Sequence, residues 1–269
     1  MTQTADPETT TYRTTSFRPP RPGLALLVGQ FGYDVRAQLR NPSSIIFTLA
    51  LPVLFLVAFT ATSDDASSAA EYYVPATMVL ALASGTLTNL AVTLTYLREF
   101  GQLKRVLVTP LSRWVYLGSR MGAGIIVAGG TVVCLGLIGM LAFDVTPAFP
   151  LTALAALTMT FLLGSALGVA ATVVIRSETA AAPLANAICL PLLMASGVFF
   201  PLDRVPEWFA DIADWLPFSG VVQGATEAYA GDAAVSELMG EILWVPGLWT
   251  LGAVLLAVRF FRWAPQKRR

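Results

Sequence analysis

The chain has 269 residues, 55% hydrophobic and 13% charged, with a formal net charge of zero. Soluble domains carry about 25% charged residues, so this composition points to lipid as the solvent. Histidine is absent and the two cysteines, Cys134 and Cys189, sit inside apolar runs. The commonest general base and the usual zinc and disulfide frameworks are therefore missing.

Residues 1–23 are rich in Thr, Pro and Arg, a composition that buries little apolar area and is expected to be a disordered tail. No apolar stretch follows a basic one within the first 40 residues, so the first span is expected to serve as its own anchor. Over residues 24–40, Leu24, Leu27, Val28, Phe31, Val35 and Leu39 recur at spacings of three and four. That pattern predicts an amphipathic helix at the membrane interface. Asn41-Pro42 ends it, because proline removes a donor and disfavours helix at the preceding residue.

Six apolar runs follow, at about 44–62, 72–97, 121–143, 151–175, 180–200 and 242–261, and the first five contain no charged residue. Each is long enough to cross a hydrocarbon core about 30 Å thick, and together they predict one all-α, polytopic membrane domain over 24–269. Gly164 and Gly168, four apart in the fourth run, would let two helices approach closely.

Placing the amino terminus in the cytoplasm puts sixteen of the seventeen Lys and Arg residues on that side, with Arg204 alone outside. The bias satisfies the positive-inside rule and predicts that both termini are cytoplasmic. Acidic residues gather on the other side: Asp64, Asp65 and Glu71, then eight more from Asp203 to Glu241.

Two segments do not fit a simple bundle. The cytoplasmic loop 97–119 is too charged to span and too apolar to be a solvated linker. Leu103, Val106, Leu107, Leu111, Trp114 and Leu117 supply an apolar stripe, and Arg98, Glu99, Lys104, Arg105 and Arg113 supply charge. We expect two short surface helices joined at Thr109-Pro110, suited to seating in a groove on a soluble motor or to lying on lipid headgroups. The second segment is 199–231. Val205, Trp208, Phe209, Ile212 and Trp215 share a helical face, with Pro206 at its first turn and Pro217 ending it. The stretch 218–230, closed by Gly231, is about 20 Å long and too short to cross. A re-entrant hairpin on the outer face is expected, serving as a lid over a pathway or as an interfacial aromatic belt.

These features resemble, in order and position, the permease subunits of type-2 ABC transporters, a family of drug, lipid and polysaccharide exporters. The likeness rests on Arg40-Asn41-Pro42, on Arg98-Glu99-x-Gly101 followed by Thr109-Pro110-Leu111, and on Ser196-Gly197-x-Phe199-Phe200-Pro201-Leu202 with Pro206, Trp208, Pro217 and Gly231. Family members often carry Thr or Ser where this chain has Gln102. The resemblance implies a coupling helix at about 98–109 that contacts an ATPase subunit, with Glu99, Gly101, Pro110 and Leu111 as signature positions. It also implies a pair of permeases, identical or paralogous, above two copies of that ATPase in the bacterial cytoplasmic membrane.

No G-x-x-x-x-G-K-[ST] phosphate loop occurs in the chain, so ATP and Mg are expected on the partner and no cofactor, metal or nucleic acid on this chain. Thr86, Thr88, Asn89, Thr93 and Asn186 are candidates to line a path or to join helices. A lipid-modifying enzyme would need an activated nucleophile or paired ionisable groups, and an ion-coupled transporter would need intramembrane carboxylates or repeats. The chain offers neither. Pathway walls without fixed charge suit a hydrophobic or amphipathic cargo, a drug, antibiotic or lipid; a polysaccharide or glycolipid is the alternative within the same family.

Overall fold

A computed structural model of the chain describes residues 42–101, 113–175, 177–231 and 235–260, with the isolated positions 29, 32, 36 and 40. The expected tail 1–23, most of the interfacial helix 24–40, Asn41, and the loop positions Lys104, Arg105, Thr109, Pro110 and Leu111 lie outside the described residues. The described residues form an all-helical membrane protein. In chain order the helices are α1 (Pro42–Ala61), α2 (Ala66–Glu99), α3 (Arg113–Phe143), α4 (Pro150–Val174), α5 (Glu178–Ala195), α6 (Glu207–Ala213), α7 (Ser219–Ala230) and α8 (Val235–Phe260), with a 3-10 turn at Leu202–Arg204 before α6.

Four helical stretches are long and apolar enough to cross a membrane: Ala66–Glu99, Pro150–Val174, Glu178–Ala195 and Met239–Phe260. Leu49–Ala61 in α1 and Ala128–Phe143 in α3 are shorter apolar stretches. At 34 residues, α2 is about 51 Å long and outreaches a hydrocarbon core of about 30 Å. It starts six residues before the expected span because the Asp65 carboxylate caps it, accepting from the Ser67 backbone N–H at 3.0 Å and the Ser68 hydroxyl at 2.6 Å.

The packing is organised around α2. Every residue from Val74 through Ala83 is buried, which a helix achieves only when neighbours surround it; α1, α3, α4, α5 and α7 do so. Small residues make this possible. A β-carbon on Gly139 of α3 would meet Val74 at 2.9 Å, and one on Gly168 of α4 would meet the Leu87 carbonyl at 2.7 Å. Without apolar surface to remove from water, such close contact is what holds helices together in lipid. Phe55 and Phe59 of α1, Tyr73 of α2 and Phe199 stack into an aromatic cluster, each pair contributing about 1 kcal/mol beyond buried area.

Several boundaries differ from those expected. Residues 97–99 form the last turn of α2 and 113–119 the first turns of α3, so the ends of the expected surface elbow are continuous with these two helices. Helix α5 stops at Ala195 rather than 200 because Gly197 takes φ +86°, a left-handed conformation that turns the chain at little cost only in glycine. Helix α8 begins at Val235, not 242.

Candidate functional site

The Arg98 end of α2 holds the break between α4 and α5. Arg98 is 3% exposed. One guanidinium nitrogen, Nη1, donates to the Thr172 carbonyl at 2.8 Å, and Nη2 donates to the Ile175 carbonyl. These are the last carbonyls of α4, which have no partner within the helix. The next residue reaches the other side of the break: the Glu99 carboxylate accepts the backbone N–H of Glu178, the first residue of α5. Ser177 occupies the N-cap position yet makes no side-chain cap bond; Glu99 of α2 supplies that cap instead.

Electrostatics favour the arrangement twice. A cation lies at a helix C-terminus and an anion at a helix N-terminus, each complementing the macrodipole, through charge-assisted bonds. Arg98 and Glu99 were expected to face an ATPase subunit. Within the chain, the Arg98 guanidinium and one Glu99 carboxylate oxygen bond the terminal backbone groups of α4 and α5, with Arg98 buried and Glu99 half-buried. Gly101 follows at φ +68°, its N–H bonded to the Arg98 carbonyl at 3.1 Å, and there the chain leaves α2 for residues 102–112.

Helix α5 is tied to α2 at two further levels. The Thr88 hydroxyl donates to the Asn186 side-chain carbonyl at 3.3 Å. At the opposite end the Tyr72 hydroxyl donates to the Gly197 carbonyl, and the Tyr73 hydroxyl to Phe199 at 3.5 Å. Thr93 bonds Asn89 within α2 at 3.0 Å. Thr86 is buried, bonds the Leu82 carbonyl and faces Gly164 of α4.

Beyond Gly197 lies the hairpin of α6 and α7. Pro206 is the N-cap of α6, and Pro217 is buried in the turn between the helices. The expected apolar face of α6 divides: Phe209 packs on Phe200, whereas Trp208, Ile212 and Trp215 are exposed. The Trp249 indole of α8 donates to the Trp215 carbonyl at 2.9 Å, and Gly220 lets α7 lie against the Glu241 backbone. Helix α7 ends at Gly231 after its Ala228 carbonyl accepts the Phe149 N–H at 2.9 Å. A cleft of about 490 Å³ opens beside it, lined among others by Glu71, Tyr72, Gly197, Arg204, Gln223 and Glu227.

Glu178, Tyr72 and Gly197 carry contacts that the sequence reading did not assign. A Ser-Glu pair after an apolar run marks a helix start, but nothing in it says that the cap comes from a residue 79 positions away.

Comparison with known proteins agrees with this architecture. The family described as ABC-2 type transporter matches residues 31–229. Over 250 residues, 83% of each chain, the protein is 28% identical to DrrC of Mycobacterium tuberculosis, named a probable doxorubicin resistance ABC transporter permease protein. It is 22% identical over 208 residues, 74% of this chain and 83% of the other, to YvfS of Bacillus subtilis, a candidate transport permease. It is 24% identical over 183 residues, 66% of this chain and 45% of the other, to the linearmycin resistance permease protein LnrN of the same organism. A helical membrane domain centred on a buried α2, matched by this family across most of its length, identifies the chain as a member of the ABC-2 type transporter family.

Proposed function

We propose that the chain is the membrane-spanning subunit of an exporter that moves a hydrophobic or amphipathic compound out of the cytoplasm or the inner leaflet. Hydrolysis of ATP takes place on a separate subunit, present in two copies. Two permeases, identical or paralogous, stand side by side in the bacterial cytoplasmic membrane with all termini inside. Family membership carries this reading, and the resistance functions in the names of DrrC and LnrN favour an antibiotic-like cargo.

The geometry supports it in two ways. Helices α1 and α5 leave apolar faces exposed at Leu51, Leu54 and Val57 and at Leu184, Leu190 and Met194, surfaces for lipid or for the second permease. Between them α2 presents the half-buried Thr88, Asn89 and Thr93 beside the exposed Asn186, hydroxyl and amide groups without fixed charge. A path between two such permeases would suit an amphipathic molecule. The segment 102–112, which leaves α2 at Gly101, is then the contact for the motor, with Lys104, Arg105, Thr109, Pro110 and Leu111 in that interface. Cargo would leave past the hairpin of α6 and α7.

The test is reconstitution of the chain with its candidate ATPase in inverted vesicles, using doxorubicin as the probe together with ATPase co-purification. Stable recruitment and ATP-dependent uptake are expected. Failure to recruit any ATP-hydrolysing subunit sinks the assignment; recruitment without doxorubicin uptake corrects the cargo alone.

A further inference from the structure

We infer that Arg98 and Glu99 are positioning residues that make α5 move with α2, so that a push on the segment after Gly101 reaches the hairpin through α5. The inference rests on the exporter reading and adds the route by which force crosses the membrane.

Three observations carry it. First, among the described helices α5 packs mainly on α2; of the four stretches long enough to cross, it shares the lowest buried fraction with that of α8, and Pro183 and Pro191 remove two of its internal donors. Second, α2 holds it at both ends and near the middle, through Glu99 to the Glu178 N–H, Thr88 to Asn186, and Tyr72 to the Gly197 carbonyl. Third, Arg98 fixes the end of α4 to the same turn of α2. The chain connecting α4 to α5 is only three residues long, 175–177. The two adjacent charges therefore grip both sides of the joint at which α5 would otherwise pivot. Displacement of α2 along its axis is delivered to the first turn of α5 by a charge-assisted bond, and at the far end of α5 the chain turns at Gly197 into the hairpin.

This assigns Glu99 an internal role distinct from a direct grip on the motor, and backbone chemistry separates the two. Glu178→Pro deletes the N–H that Glu99 accepts while leaving the Glu99 carboxylate in place. Proline is at home at the first helical position, and Ser177 is already extended at φ −122° and ψ 149°, as a residue before proline prefers. Glu178→Ala removes the same side chain and keeps the N–H.

In the isolated chain, amide exchange over the first turn of α5 is expected to be about tenfold faster in Glu99→Gln than in the unaltered chain, because the carboxamide oxygen accepts the N–H without charge assistance. In the complex assembled with its ATPase, spin labels at the exposed Ala187 of α5 and Leu251 of α8, in a background with Cys134 and Cys189 replaced by alanine, read the displacement on trapping with Mg, ATP and vanadate. Glu178→Pro and Glu99→Gln are expected to recruit the motor and hydrolyse ATP yet to populate the displaced state about tenfold less than Glu178→Ala does. Equal displacement in Glu178→Pro and Glu178→Ala overturns the proposal. Loss of recruitment in Glu99→Gln, with Glu178→Pro intact, overturns it in favour of a direct motor contact. An unaltered chain that recruits no motor defeats the exporter reading and the lever together.

Discussion

Gly168 of α4 meets the backbone of Leu87 of α2 so closely that a β-carbon there would stand 2.7 Å from the Leu87 carbonyl oxygen and 3.1 Å from its Cα. Backbone on both sides leaves nothing to rotate away. Gly168→Leu is therefore expected to force the two helices apart at a cost of about 3 kcal/mol, read as a lower unfolding midpoint in detergent. Gly252 of α8 has nothing within 4 Å, and Gly252→Ala is expected to leave that midpoint unchanged or raised. Equal effects at the two glycines would show that α4 and α2 do not pack as described.

Arg98 is buried against two carbonyls that end α4. Arg98→Ala leaves both acceptors without the guanidinium and is expected to cost about 3 kcal/mol. Lysine cannot present two donors in a planar fork, so Arg98→Lys should fall between alanine and the unaltered chain. Thermal unfolding of the purified permease, without its motor, checks the order. An Arg98→Ala protein as stable as the unaltered one would mean that the side chain faces outward.

How much of this was legible beforehand depended on what each feature requires. The spans are written in single apolar runs, and the hairpin in Pro206, Pro217 and Gly231, because local chemistry dictates them. The close approach at Gly168 was suggested by its spacing from Gly164, although the partner helix was not. The bonds from Glu99 to Glu178 and from Tyr72 to Gly197 join residues 79 and 125 positions apart, and no local pattern records such distances. Arg98 and Glu99 stood out as charges beside an apolar run, which fits an exposed motor contact as well as a cap for a neighbouring helix. Only the placement of the joint between α4 and α5 against the end of α2 brings their helix-end bonds into view. Thr86 was open to two roles for a related reason: a hydroxyl in a span suits a path or a neighbouring helix, and within the chain it bonds the Leu82 carbonyl four residues back.

Asp65 gives the fold a local pH dependence. The Ser68 hydroxyl, then the Ser67 and Ser68 backbone N–H groups, hold its carboxyl below the ordinary value of 3.8. A folded-state value below the unfolded one favours the folded state fully above the unfolded value. That contribution is lost as pH falls through the folded value. Amide exchange at Ser67 and Ser68, corrected for intrinsic rate, should therefore rise once pH drops below about 4. Asp65→Asn should remove the pH dependence; an identical profile in that variant would assign the effect to another group.

One bond sets the level of the hairpin along α8. Trp249 lies fourteen residues past Val235, about 21 Å down α8, and about 10 Å below Ile242, where the apolar run of that helix begins. Its indole N–H donates to the Trp215 carbonyl at the foot of α6, so the turn between α6 and α7 reaches below the level of Glu237 and Glu241. A carbonyl placed at that level within the hydrocarbon has no water to bond and needs the donor. Trp249→Phe keeps most of the ring area and removes the N–H, at an expected cost of about 1 kcal/mol. The loss should be confined to the hairpin: faster amide exchange over residues 214–219, with the exchange of α2 and α4 unaltered. Exchange that is already fast there in the unaltered protein, and indifferent to the substitution, would place the turn in bulk water, and the hairpin would then lie on the membrane surface without entering it.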